Sequence, residues 1–324
     1  MGMPKSGKTS ISKVVFQKMS PHETFFLMPT SQIEPQQVNN NENIDFRVND
    51  FPGNYMLEGN SIPVIQECGA LIYVIDAHQP DFENACQKLY DVIQRTSQIK
   101  NNICYEVFIH KVDSDMFMND DQKLECLNAI QANMRSLLQE IRQPISLGFQ
   151  LTSIYDHTIY VALSKVVQKL LPQVNFISQM MDTLINRSKI QKAFLFDVIS
   201  KVYIATDSTP VNMQHYEICS ELIDVLIDVT CIYGYEEESG SKFDKKSSSI
   251  IRLAHANNQE NIVLYLREVD TCLALVCLIN QSEIHRQHLI NYNIDRFKEG
   301  LQKIFAHSAE MRKQHTGPAA FNRH

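Results

Sequence analysis

A phosphate-binding loop stands almost at the amino terminus. GMPKSGKTS, residues 2–10, meets the pattern Gly, four residues, Gly-Lys-Ser/Thr through Gly2, Gly7, Lys8 and Thr9. The two glycines let the backbone turn so that successive N–H groups, among them those of Lys5, Ser6 and Ser10, face a phosphate. Lys8 reaches the β- and γ-phosphates and Thr9 offers its hydroxyl to Mg²⁺. A helix is expected from about Lys8 to Met19, with Ile11, Val14, Val15 and Phe16 apolar, which puts the positive end of its dipole under the phosphates. A β-strand should lead into such a loop, yet only Met1 precedes Gly2. The expectation is a truncated or mis-assigned start, because the strands on either side would otherwise lose their ladder partner. A chain that did start there would bind nucleotide poorly.

At 324 residues there is room for two domains, each with its own core. A net charge of -7 argues against nucleic acid held by bulk electrostatics. The longest strongly apolar stretch, ALIYVI at 70–75, is far short of the roughly 20 residues a membrane span requires. No apolar run precedes the loop, so the chain reads as cytoplasmic. Its 8 cysteines form no Cys-x-x-Cys pair and lie mostly in apolar stretches, as reduced thiols do.

The first half alternates strand and helix patterns, the mark of a parallel sheet with helices on its faces. Strands are expected at 44–50, where Ile44, Phe46 and Val48 alternate, and at 70–76, 105–110 and 147–152. Helices are expected at 82–97, at 120–142 and from Ile159 to Pro172. Every strand ends in a polar residue, at the edge where ligands bind in open α/β sheets. A nucleotide domain is therefore drawn at 1–173, a connecting helix at 174–190, a second α+β domain at 191–308 and a frayed tail at 309–324. The second domain reads as one strand at 193–205, a helix at 214–230, strands at 249–255, 261–267 and 271–279, and a helix at 284–306. The polar run 236–249 reads as a surface loop, and Asp197 and Asp207 as turn or capping residues. Phe194, Phe196, Ile218, Ile223, Leu226 and Ile227 exceed what one face of a small sheet needs; pairing with a like domain and ordinary core packing are both open.

The choice of nucleotide must be made at the strand ends. Asp50-Phe51-Pro52-Gly53 places a carboxylate where it can hold a water on Mg²⁺ and the Gly53 N–H where it can meet a γ-phosphate. His110-Lys111-Val112-Asp113 follows a later strand: Asp113 can accept two hydrogen bonds from guanine, which adenine cannot donate, while the Lys111 stem packs over the base. The turn Thr152-Ser153-Ile154 offers backbone toward guanine O6. Each element alone is weak; four in order, each at a strand end, select GTP/GDP with Mg²⁺.

GMPKSGKTSISKVVFQKMSPHETFFL, NDFPG, GALIYVIDA, VFIHKVD, LTSIYDH, SKVVQKLLPQ and KAFLFDVISKVYIATDSTPV together resemble the Rag GTPases of the C/D class, the Gtr type of fungi, over nearly the whole chain. The resemblance implies a Ras-like GTPase domain, here lacking its first strand, followed by a roadblock-type dimerisation domain. It implies a heterodimer with an A/B-class partner, docking on a scaffold at the lysosomal or vacuolar surface, only indirect membrane association, and relay of amino-acid sufficiency to the TOR complex. It also places Thr24 near the nucleotide and Thr30 at the switch position that senses Mg²⁺ and γ-phosphate, and it marks His110, where other G proteins carry Asn, as a feature of the class.

One departure bears on catalysis. Asn54 follows Gly53 where many G proteins place a water-orienting Gln. One methylene shorter, its amide sits about 1.5 Å back from the water, and errors of that order cost about a hundredfold in rate, so slow intrinsic hydrolysis is expected. The segment after it, NYMLEGNSIP, also departs from the family pattern. Two functions stay open: a signalling GTPase, and a structural subunit whose nucleotide completes the fold with negligible hydrolysis. A small-molecule kinase is disfavoured by HKVD and by the lack of an Arg-rich lid.

Overall fold

A computed structural model describes all residues except 39–45, 56, 58, 80, 118, 140–144, 234–247, 254–260, 271 and 316–324. The chain divides into two compact units at Leu171/Pro172. No helix among the described residues is long and apolar enough to cross a membrane.

In the first unit α1 (Lys8–Gln17) rises directly from the phosphate loop, and it stops where Lys18 turns left-handed (φ 55°) and its N–H reaches back to Lys13 O. A short helical turn, Pro21–Phe26, leads to the antiparallel hairpin of β1 (Glu34–Val38) and β2 (Phe46–Asp50). β1 is a strand that no pattern in the sequence announces. Its sequence, EPQQV, has no strand periodicity and is held from outside, Ser12 Oγ on α1 donating to Gln36 Oε1 at 2.9 Å. Ile44 of the expected strand lies outside the described residues.

A short helix α2 (Ile62–Glu67) precedes the expected alternation. This is β3 (Ala70–Asp76), α3 (Phe82–Ile99), β4 (Cys104–His110), α4 (Asp120–Leu138), β5 (Leu147–Thr152) and α5 (Thr158–Leu170). The strands form a parallel sheet in the order β3-β4-β5. Ile75, Val107 and Ile109 from the sheet join Cys86, Leu89 and Ile93 of α3 and Ile130 and Met134 of α4 in one core, each large aliphatic contributing about 1.5–3 kcal/mol. Register matters most at the carboxyl ends: Asp76 stands opposite His110, and His110 opposite Thr152. At the sheet's other edge Gly2 bridges Val74 in parallel fashion; the Met1 amino group donates to Ile72 O at 2.7 Å and Val74 N donates to Met1 O at 2.9 Å. Glu106, in the middle of β4, is buried within the sheet. The Glu106 carboxylate accepts from Lys169 of α5 above Gly148, where a Cβ would stand 2.1 Å from Glu106 Oε2.

The helix read as a connector, α6 (Val174–Ser188), belongs to the second unit and packs on its sheet. The expected single strand at 193–205 is a hairpin of β6 (Ile190–Asp197) and β7 (Tyr203–Thr206). Its turn has neither Gly nor Pro: Lys201 takes φ 58°, and Asp197 Oδ2 accepts from Ser200 N at 3.0 Å. Then follow α7 (Met213–Tyr233), β8 (Ser248–Leu253), β9 (Ile262–Asp270), β10 (Leu273–Asn280), a short turn Gln281–Arg286, and α8 (Gln287–His315). The sheet is antiparallel, ordered β7-β6-β10-β9-β8. The helix placed at 284–306 runs on to His315, so the tail drawn from 309 is helical as far as it is described, because polar residues without Gly or Pro do not end a helix. The loop 236–249 lies almost wholly outside the described residues.

Of the two readings left open for the second domain's apolar surplus, Phe194, Phe196 and Ile223 follow the core one: all three are buried. Tyr216 of α7 packs its ring 5.6 Å from Phe196 and 5.8 Å from Tyr203, and its hydroxyl donates to Lys201 O at 2.8 Å. Among the described residues of α7, Val225, Val229 and Ile232 are large apolar side chains left exposed, spaced along one face. Asp207 does cap its turn, accepting Thr209 N at 3.1 Å and Ala193 N at 2.9 Å, and it also pairs with buried Lys192.

Candidate nucleotide-binding site

The phosphate loop closes on itself through Ser6 N, which donates to Met3 O at 3.3 Å, with Lys5 at φ 62° and Gly7 at φ 99°. Gly7 is required twice over, by that φ and by the His110 ring, whose Cδ2 would lie 2.5 Å from a Cβ there. Lys8 opens α1 and extends its ammonium to Met3 O at 2.8 Å; burial pushes its pKa down, and Asp50 pushes back. Ser6 is buried, and Ser10 lies half-buried in the first turn of α1.

Three oxygens from distant segments converge beside the loop. Thr9 Oγ1 donates to Asp50 Oδ2 at 2.5 Å, Thr30 Oγ1 lies 2.7 Å from Thr9 Oγ1, and Thr30 Oγ1 donates to the same carboxylate oxygen at 3.3 Å. Two hydroxyls and a carboxylate are hard donors, suited to Mg²⁺ and poorly to softer ions. Among the described residues no group of three His, Cys, Asp or Glu offers a rival metal site.

The elements expected to face the base meet at the ends of β4 and β5. His110 is buried, its Nδ1 3.0 Å from Thr152 Oγ1 and its ring against Gly7. Burial first, then the Lys111 ammonium, lower its pKa to about 4, so it is a neutral imidazole at physiological pH. Lys111 takes φ 69°, and its N–H donates to Thr152 O at 2.9 Å while its ammonium reaches Lys5 O at 2.8 Å. Asp113 is exposed just beyond. The β5–α5 turn is held by Ser153, whose N–H donates to Thr158 Oγ1 at 2.9 Å and whose Oγ accepts from Tyr155 N at 3.0 Å; Ile154 is half-buried between them. Gly53 lies against Pro4 of the phosphate loop.

Residues 1–223 match the family model described as the Gtr1/RagA G protein conserved region. Ras-related GTP-binding protein C of Homo sapiens is 45% identical over 310 residues, covering 94% of this chain and 75% of that protein. The chain belongs to the Gtr/Rag family of G proteins. The class within the family follows from a contrast in identity. GTP-binding protein gtr2 of Schizosaccharomyces pombe is 40% identical over 314 residues (94% of this chain, 96% of that protein). GTP-binding protein GTR1 of Saccharomyces cerevisiae is only 22% identical over 309 residues (93% and 96%). This Gtr/Rag chain is of the C/D class, and its parallel-sheet unit is that of a small GTPase.

Two expected residues stand apart from the cluster in this Gtr/Rag protein. Thr24 spends its hydroxyl on Pro21 O, 2.7 Å away within its own turn. Asn54 is exposed in the turn closed by Tyr55 N and Pro52 O, which lie 3.2 Å apart. One residue that the motifs do not contain is central: Asp76, at the tip of β3, accepts Lys111 Nζ at 2.5 Å. Its signal was present in the sequence, since a carboxylate ending the apolar run ALIYVI occupies the same edge as Asp50 and His110.

Proposed function

We propose that this protein is a guanine-nucleotide signalling subunit that hydrolyses GTP slowly and presents different surfaces in its GDP and GTP states. The observation that carries the reading is the meeting of Thr30, from the segment between α1 and β1, with Thr9 and Asp50 beside the phosphate loop. A segment tied to that point senses the ion and the terminal phosphate together, which is how a γ-phosphate becomes a change of surface. Thr9 and Thr30 would hold Mg²⁺ through their hydroxyls and Asp50 through a water. The ion, when bound, neutralises phosphate charge. Lys8 adds a cation on the β- and γ-phosphates, the Gly53 N–H faces the γ-phosphate, and Asp113 reads guanine beside the Lys111 stem. His110 holds Gly7 and Thr152 from behind. Asn54, exposed in the turn after Gly53, orients the attacking water only weakly. Single-turnover GTP hydrolysis should quicken in Asn54→Gln; an unchanged rate removes Asn54 from the mechanism.

By class, the protein pairs through its second unit with an A/B-class partner, docks on a lysosomal or vacuolar scaffold and relays amino-acid sufficiency to the TOR complex. The exposed stripe Val225, Val229 and Ile232 supports pairing through that unit. The decisive experiment titrates A/B-class partner binding against the GDP- and GTP-loaded chain. A ligand shifts an equilibrium only through differential affinity. Equal partner affinity in both states therefore excludes a switch and leaves the structural-subunit reading. Tight ATP binding insensitive to Asp113→Ala overturns the guanine assignment.

A further inference from the structure

The base-reading carboxylate, Asp113, is exposed on a loop, yet it must present two oxygens in the plane of a flat base, which demands a fixed backbone. That backbone is held from both sides by the turn after β3. We propose that Asp76 and His78 are positioning residues for the guanine-reading segment Lys111–Ser114, Asp76 fixing its first residue through Lys111 and His78 its last through Ser114. Asp76 is buried and both its oxygens are used. Oδ2 takes the Lys111 ammonium at 2.5 Å, and Oδ1 accepts His78 N at 3.0 Å, which shapes the turn that carries His78. The His78 ring then bonds Ser114 Oγ and stacks on Phe117 with ring centroids 6.1 Å apart. Ala77 N, between them, donates to His110 O at 2.9 Å. Lys111 joins this brace to the phosphate loop, since its ammonium also bonds Lys5 O at 2.8 Å. A lysine held at φ 69° gains from such anchoring, because that conformation is disfavoured for a residue with a Cβ.

The inference rests on Asp113 reading guanine, and its test separates the two ideas. GDP and inosine diphosphate, which lacks the exocyclic amine, are titrated against the full chain by displacement of fluorescent GDP. The proteins are the parent, Asp113→Ala, Asp76→Asn, Lys111→Ala, the Asp76→Asn/Lys111→Ala double variant and His78→Ala. Asp113→Ala should abolish the preference for GDP; if the preference survives, guanine reading by Asp113 fails and the proposal fails with it. With that arm as expected, Asp76→Asn, which keeps the acceptor for His78 N, should lower GDP affinity about tenfold and shrink the GDP preference. It should have no further effect in the Lys111→Ala background. His78→Ala should shrink the preference about threefold. An Asp76→Asn protein with its preference intact, or one equally impaired with and without Lys111, overturns the role of Asp76 while leaving guanine reading in place. An unchanged preference in His78→Ala removes His78.

Discussion

Lowering the pH from 7.5 to 5.0 is expected to cost the first unit about 2 kcal/mol through His110 alone. The imidazole is 1% exposed, lies against Gly7 and has Thr152 Oγ1 at 3.0 Å from Nδ1. Burial and then Lys111 hold its pKa at about 4, against 6.5 for an unperturbed histidine. The unfolded chain therefore takes up a proton near pH 6.5 and the folded chain only near pH 4. Stability is undiminished above 6.5 and is lost as pH falls from there toward 4, where the full cost is about 3.4 kcal/mol, the difference of 2.5 at about 1.36 kcal/mol per pH unit. Three-fifths of that interval lies above pH 5, which gives the working figure of about 2 kcal/mol. Urea unfolding followed by far-UV circular dichroism at both pH values, with a separate transition fitted to each unit, measures it. His110→Asn is the control: it does not titrate, while carboxylates and the other histidines contribute equally to both proteins and cancel in the comparison. The parent should lose about 2 kcal/mol more than the variant on acidification. Equal losses would refute the buried neutral imidazole, and with it the account of His110 as a packing partner of the phosphate loop.

Asp50→Asn removes the charge that gathers Thr9 and Thr30. GDP release from the parent should quicken about tenfold when Mg²⁺ is chelated, whereas the variant should release at the fast rate in both conditions; fluorescent-GDP dissociation reads this directly. Gly53→Ala puts a Cβ 2.5 Å from both Cα and N of Pro4, backbone that cannot swing aside. Nucleotide affinity should fall about tenfold by equilibrium titration, with unfolding of the second unit unchanged. Asp207→Ala leaves Lys192 without its carboxylate at a position where the two side chains are 2% and 0% exposed, and should cost the second unit about 3–5 kcal/mol in urea unfolding.

Where much of the candidate site lies was legible because a phosphate-loop motif ties residue type to place in the chain. Gly7, Lys8 and Thr9 stand in the spacing of a phosphate loop at a loop-to-helix junction, and Asp50, His110 and Thr152 each end a strand. Which of these residues touch was not legible. The contact of Asp76 with Lys111 depends on β3 and β4 being in register at their tips, and register is a property of the assembled sheet. Polar β1 was hidden for a related reason, since its support is Ser12 on another element. The hairpin of β6 and β7 was hidden because Asp197 and a left-handed Lys201 make the turn where Gly or Pro would have announced it.

The second unit shows where counting apolar residues misleads. Successive side chains of a strand point to opposite faces, yet seven consecutive residues of β10, Leu273 to Ile279, are buried, as are six of β6, Lys192 to Asp197. Both faces of the sheet are therefore covered, and such a sheet needs apolar residues at every central position. The surplus that pointed to pairing through Phe194 and Phe196 is the demand of that second face. What remains for a partner must lie outside the sheet's interior, and on α7 the residues that meet the condition are Val225, Val229 and Ile232, beyond the turns whose Tyr216, Cys219, Leu222 and Ile223 are spent on the core.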